Sequence, residues 1–198
     1  MKGTVNTFTD LQLDALRELA NIGSGNAGTA LGKMLGKSVD ISVPTAAVLP
    51  LADAVAIAGQ ADELRHGVVV PVSGDMDAIV LLLFPDADMR TLCGIYGIQP
   101  GTPDGRSMLG EVGNILGTNY ITVLGQMAAM RLQPAPPQVV EDMLGAILQS
   151  VLLGRGEDVD AALILDSSLA VEGDQCSLSF LLLPADGGIR RLLERLGL

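Results

Sequence analysis

The amino-acid sequence predicts a mixed α+β fold assembled from two related halves that share a core. Three observations predict it. Asp14, Glu18, Asn21 and Pro44 recur as Ser107, Glu111, Asn114 and Pro137, each displaced by 93 positions. The same shift lays Leu16 on Leu109, Ile22 on Ile115, Asn26 on Asn119, Leu31 on Leu124, Gly32 on Gly125 and Met34 on Met127, as an internal duplication would. Both recurring segments show helical periodicity, and both are followed by two strand-like runs around a glycine-containing turn. At 198 residues and 48% hydrophobic, the chain can form one well-buried domain or two small halves with a common core, and the duplication favours the latter. The repeats are expected at about 1–97 and 102–198 of a single domain.

Taken in order, Thr9 with Gln12 forms a capping box that starts a helix over 10–35, closed by Gly36. Its core face is Leu13, Leu16, Ala20, Ala27, Leu31 and Met34. Gly25 and Gly28 fall on the opposite stripe, where they flatten the surface beside Asn21 or permit close helix packing. Residues 39–43 read as a strand reaching Pro44, which suits an edge or a bulge because it cannot donate to a ladder. A short helix is expected over 51–59, a hairpin from 65–72 and 78–84 with its turn at 73–75, and a helix over 86–96 after Pro85. Thr102 as N-cap and Pro103 at N1 begin the second motif helix, placing the boundary between halves in 97–101. Its core face is Leu109, Val112, Leu116, Tyr120, Val123 and Met127. Residues 139–153 carry a helical pattern throughout. Strands at 159–165 and 176–183 flank a turn at 172–174, and Pro184 opens a C-terminal helix. The offset there has grown to 99, so six extra residues lie between Pro137 and this hairpin, where a helix was gained or lengthened.

Composition excludes several chemistries. A net charge of −11 argues against nucleic acid and anionic lipid and is compatible with a basic partner surface. Apolar runs such as 78–84 fall short of the roughly 20 residues a spanning helix needs, and MKGTVNTFTD lacks a signal-peptide pattern, so the expectation is a cytoplasmic protein without membrane insertion. Cys93 and Cys176 are expected as buried, reduced thiols. One histidine and two cysteines cannot build a zinc site, His66 has no second histidine to work with, and no phosphate-loop or dinucleotide fingerprint occurs. No metal or cofactor of the chain's own is expected.

At about 100° per residue, Asp14, Glu18 and Asn21 share one narrow stripe of a helix, as do Ser107, Glu111 and Asn114. A carboxylate one turn from a carboxamide suits a docking charge beside a group that orients a small molecule. A solvated helix face would explain one copy; paired recurrence with a matched distant proline favours a site. Acid–base work by Glu18 or Glu111 would need a shifted pKa, so the asparagines are the better candidates.

The pattern D/S-x3-E-x2-N-x22-P, present twice, resembles the signature of the CheC, CheX and FliY family of chemotaxis phosphatases, and two copies resemble the CheC-like form. PQVVEDMLGAILQSVL and the terminal FLLLP followed by a helix are similar too, so the resemblance spans nearly the whole chain. It implies pseudo-two-fold α-β-β-helix-β-β units forming a continuous antiparallel sheet with two exposed motif helices. It also implies hydrolysis of the aspartyl phosphate of a CheY-type response regulator. Glu18 and Glu111 would pair with the regulator's lysine, and Asn21 and Asn114 would orient the attacking water. Asp14 and Ser107 would set the helix or touch the regulator, Pro44 and Pro137 would fix the chain beside it, and Mg2+ would belong to the regulator. CheD, a receptor deamidase, would bind through the helix expected at 139–153, at Asp142. A non-catalytic module that sequesters phosphorylated CheY or CheD is the alternative, and two complete motifs speak against it.

Overall fold

The computed structural model describes residues 10–153, 159, 161–185 and 187–197, with side chains from Asp14 onward. The Thr9 capping box and the Leu13 side chain lie outside the described residues. The first half comprises α1 (Asp10–Leu35), β1 (Val39–Pro50), α2 (Leu51–Ala58), β2 (Leu64–Gly74), β3 (Ala78–Pro85) and α3 (Asp86–Gly94). The second comprises α4 (Pro103–Met127), β4 (Leu132–Pro134), β5 (Gln138–Met143), α5 (Leu144–Leu153), β6 (Ala161–Val171), β7 (Asp174–Pro184) and α6 (Gly188–Arg195).

The two long helices end by the same local chemistry. Lys37 N donates to Gly32 O at 3.3 Å, and Met130 N donates to Gly125 O at 2.8 Å. A Cβ on Gly32 would stand 3.1 Å from Lys37 O, and one on Gly125 would stand 2.8 Å from Met130 O. A side chain would crowd the backbone at both, more severely at Gly125, which fits the recurrence of glycine at this pair. The start of α4 is capped as expected, Thr102 Oγ1 accepting from Gly105 N at 3.2 Å with Pro103 inside the first turn.

The sheet is antiparallel in the order β1-β6-β7-β3-β2-β4, with β5 also pairing with β2. Each half contributes its own hairpin, β2–β3 and β6–β7, and then exchanges its first strand: β1 pairs with β6 of the second half, and β4 and β5 pair with β2 of the first. The hairpins meet where β3 pairs with β7. Under the 99-residue offset Leu81 corresponds to Phe180 and Leu82 to Leu181, so the paired rows Leu81–Leu181 and Leu82–Phe180 exchange. The pseudo-two-fold axis passes between them.

Central strands are covered on both faces, so they read as continuous apolar runs rather than alternating ones. One face, with Val68, Val70, Val80, Leu82, Leu165 and Phe180, packs under α1 and α4. The other, with Val69, Leu81, Leu83, Ile164 and Leu181, packs under α2 and α5. Cys93 and Cys176 are buried free thiols.

Several expectations need correction. Residues 139–153 are not one helix: the first part lies in β5, and only Leu144–Leu153 is helical. Valines at 139 and 140 complete the ladder on the exposed side of β2, and an unpaired strand edge there outweighs helical periodicity in a short apolar run. Among the described residues no helix was gained either. Leu144 lies 93 positions after Leu51, making α5 the counterpart of α2, 10 residues against 8, with the remaining insertion between α5 and β6. The C-terminal helix begins at Gly188, while Pro184 ends β7. Met34 is exposed and Met127 half-buried, so the core faces stop about one turn short of the helix ends. Gly28 is buried against β1, its missing Cβ 3.3 Å from Val39 O, whereas Gly25 faces open space.

Candidate functional site

α1 and α4 lie against each other over the first face of the sheet. Their contact centres on Gly23, where a Cβ would fall 2.5 Å from Tyr120 Cδ1. Tyr120 is 1% exposed and tilts against Phe180 at a centroid separation of 4.9 Å. Burial pushes its hydroxyl up to about 12, so it packs as a neutral ring. α4 sits deep on β2: Cβ atoms on Gly113 and Gly117 would stand 2.5 Å and 3.3 Å from the side chains of Val68 and Val70.

With the apolar faces buried, the polar stripes point outward. Asp14, Glu18, Asn21, Ser107 and Glu111 are exposed, and Asn114 is half-buried. Glu18, Asn21, Glu111 and Asn114 make no side-chain hydrogen bond or ion pair with another described residue. Two carboxylates and two carboxamides are thus available to a partner. Asp14 differs: its Oδ1 accepts from Arg17 Nη1 at 3.0 Å in an exposed ion pair. Sequence reading had not singled out Arg17. The signal was the Asp–Arg spacing of three on a helix face, which copy two lacks because Gly110 stands at the equivalent position.

The prolines fall on the strands that flank the motif helices. Pro44 is exposed within β1, where the register against β6 shifts between Ser42 and Thr45. Pro137 lies in the break between β4 and β5, both of which pair with β2. Each missing N–H therefore coincides with an interruption of an outer ladder. β1 runs beside α1 and β5 beside α4, where a Cβ on Gly110 would meet Val139 Cγ2 at 3.4 Å. Asp142 lies on β5, exposed, and not within a helix; its Oδ1 accepts from Met143 N at 2.8 Å, just ahead of α5.

The remaining reactive groups are structural. His66 is buried on β2, its Nε2 2.9 Å from Asp86 Oδ1 and its Nδ1 3.7 Å from Glu141 Oε2, so it ties β2 to α3 and β5. Burial raises the Cys93 thiol and pushes that of Cys176 up to about 11, which keeps both protonated near neutral pH and unsuited to nucleophilic attack. Among the described residues no three of His, Cys, Asp and Glu gather to hold a metal ion, and no helix is long and apolar enough to cross a membrane.

Comparison with known proteins matches the same segments. The CheC-like family pattern fits residues 11–47 and 105–141, each match holding one complete motif with its proline. The CheY-P phosphatase CheC of Bacillus subtilis is 29% identical over 202 residues, covering 97% of each chain. Among solved structures, FliY of Thermotoga maritima superposes with a TM-score of 0.74 at 16% identity, over 96% of this chain and 98% of that one. The FliM middle domain from H. pylori does so with a TM-score of 0.65 at 9% identity, over 95% and 99%. At such identities the structural likeness speaks for the fold alone, which these two proteins share. The doubled Glu/Asn stripe and the end-to-end similarity to CheC point the same way: over both motif segments this chain is similar to the CheC-like family.

Proposed function

We propose that the chain hydrolyses the aspartyl phosphate of a CheY-type response regulator. One observation carries the reading: two helices each present an outward glutamate and, one turn on, an asparagine, with no partner among the described residues. The name of the Bacillus relative supports the substrate class.

Glu18 and Glu111 pair with the regulator's active-site lysine, drawing each helix over the phosphoryl group. The carboxamide of Asn21 or Asn114 accepts from a water and donates to a neighbouring oxygen, which holds the water in line with the scissile bond. Water oxygen bonds to phosphorus, the bond to the aspartyl oxygen breaks, and carboxylate and inorganic phosphate leave. An acyl phosphate is labile already, so placement supplies most of what is needed, and the divalent cation belongs to the regulator. Asp14 and Ser107 border the contact, with Pro44 and Pro137 holding the flanking strands beside it.

A second surface is favoured by a separate observation. An apolar groove of about 540 Å3 between α2 and α5 is lined by Leu51, Val55, Leu148, Leu152 and Leu153, the last 73% exposed. A CheD-type deamidase would dock there, with Asp142 on β5 just ahead of α5.

The test is phosphate release from a phosphorylated CheY-type protein, with and without the chain. Accelerated release that depends on the regulator's metal is expected. Binding without acceleration would replace catalysis by sequestration, and efficient turnover of small phosphomonoesters would remove the docking mechanism.

A further inference from the structure

Comparison of the two stripes, position by position, exposes a difference that the shared motif conceals. Copy one carries Asp14, Arg17 and Glu18; copy two carries Ser107, Gly110 and Glu111. The acidic residue and the arginine are present together in one copy and absent together from the other. They are also bonded to each other, Arg17 Nη1 to Asp14 Oδ1 at 3.0 Å. Both side chains are largely in solvent, 63% and 69% exposed, and a pair so exposed adds little to stability. Formal charge over these positions is nonetheless the same in both copies: −1 from two carboxylates and a guanidinium, or −1 from a single carboxylate. The flanking turn of copy two does not alter this, since Asp104 and Arg106 cancel where copy one has Leu11 and Leu13.

We infer that Arg17 is a specificity-determining residue of the first site, neutralising Asp14 so that Glu18 alone presents a net negative charge to the partner's cation. This rests on the docking role proposed for the glutamates. A stripe of one net charge meets one lysine. An unmasked Asp14 would attract cationic surfaces in general, and an unmasked Arg17 would repel the intended one. Copy two reaches the same state by having neither group.

The experiment measures dephosphorylation of a phosphorylated CheY-type regulator at low and high ionic strength, in an Asn114→Ala background so that the first site alone reports. Arg17→Gln is expected to lower KM about three-fold at low salt and Asp14→Asn to raise it by a similar factor, with kcat unchanged and both shifts fading as salt screens them. The double substitution brings KM back between the two single variants. A reciprocal arm uses an Asn21→Ala background: Ser107→Asp lowers KM at the second site, and adding Gly110→Arg reverses that. KM shifts absent from both arms, or a fall in kcat for Arg17→Gln with KM unmoved, would overturn the inference. Full activity in the Asn21→Ala, Asn114→Ala variant would instead overturn the underlying assignment of the asparagines, a separate result.

Discussion

The two motif helices are copies of one segment, yet they are seated differently. α1 rests against the outer strand β1 and touches α4 through Gly23, and its Asn21 is exposed. α4 is pressed into β2 through Gly113 and Gly117, which replace Ala20 and Ser24 of the first copy, and its Asn114 is half-buried. The duplication thus reproduced the backbone frame and the Glu/Asn spacing while the seat diverged. A half-buried carboxamide has fewer rotamers to lose when it orients a water, whereas an exposed one must be ordered by the partner. The second site should therefore be the better organised of the two.

The largest expected effect tests that ranking. Removing a positioned amide costs on the order of 100-fold at its own site, so Asn21→Ala with Asn114→Ala together should leave little release of phosphate from the regulator. Of the single variants, Asn114→Ala should lose more, and the ratio of single-turnover rates measures how much the seat matters. Equal losses would mean that half-burial contributes nothing.

A smaller effect concerns docking. Glu18→Lys with Glu111→Lys should weaken regulator binding at least ~10-fold by setting like charges face to face, read by titration calorimetry. Stability should move by less than about 0.5 kcal/mol because both side chains are exposed. Unfolding of this variant would show that the stripes hold the fold together.

The seats themselves can be probed by two glycines. Gly113→Ala forces a Cβ to within 2.5 Å of Val68 and should destabilise the protein by about 1–3 kcal/mol in urea titrations. Gly25→Ala, with nothing within 4 Å, should stabilise α1 by about 0.5–1 kcal/mol. If it also slows the first site, the flat surface beside Asn21 is needed by the partner.

The smallest effect compares the hairpins. Leu165 and Ala185 stand 99 positions after His66 and Asp86, so only the first hairpin carries the buried polar link. The Arg90 guanidinium, donating to Oδ2 at 2.8 Å, holds the Asp86 carboxyl below its ordinary value, and His66 adds to this. A depressed folded value means the contribution is present above the unfolded carboxylate range and is lost as pH falls through the folded value. Asp86→Asn should therefore flatten the acid limb of the stability profile between about pH 5 and pH 2, with little change near neutrality. An unchanged limb would show that other carboxylates govern acid unfolding.

Much of this architecture was legible in the residues. The first motif helix runs over 10–35 as its pattern indicated, the second starts at its Thr102 cap, and both hairpins lie where apolar runs flank glycine-containing turns. Those features depend on neighbours a few residues apart, which periodicity and caps report directly. The stripes were readable as outward for the same reason. Arg17 could have been found from its spacing to Asp14 but draws meaning only beside Gly110.

Other features depended on partners distant in the chain. Residues 139–143 are helical by period and extended in fact because the open side of β2 accepts them. Exchange of β1 and β5 between halves, which locks the two repeats into one sheet, cannot be read from either repeat alone. His66 could have been exposed, and only the meeting of β2, α3 and β5 buries it between two carboxylates. The sequence by itself determined the helix faces, the caps, the hairpins and the doubled Glu/Asn row, since each is settled within one or two turns of chain. Tertiary structure alone decided which strands pair across the halves and how deeply each motif helix sits. Strand pairing and helix seating are set by closure of the whole core, where the depth of Asn114 follows from Gly113 meeting Val68, a residue 45 positions away in sequence.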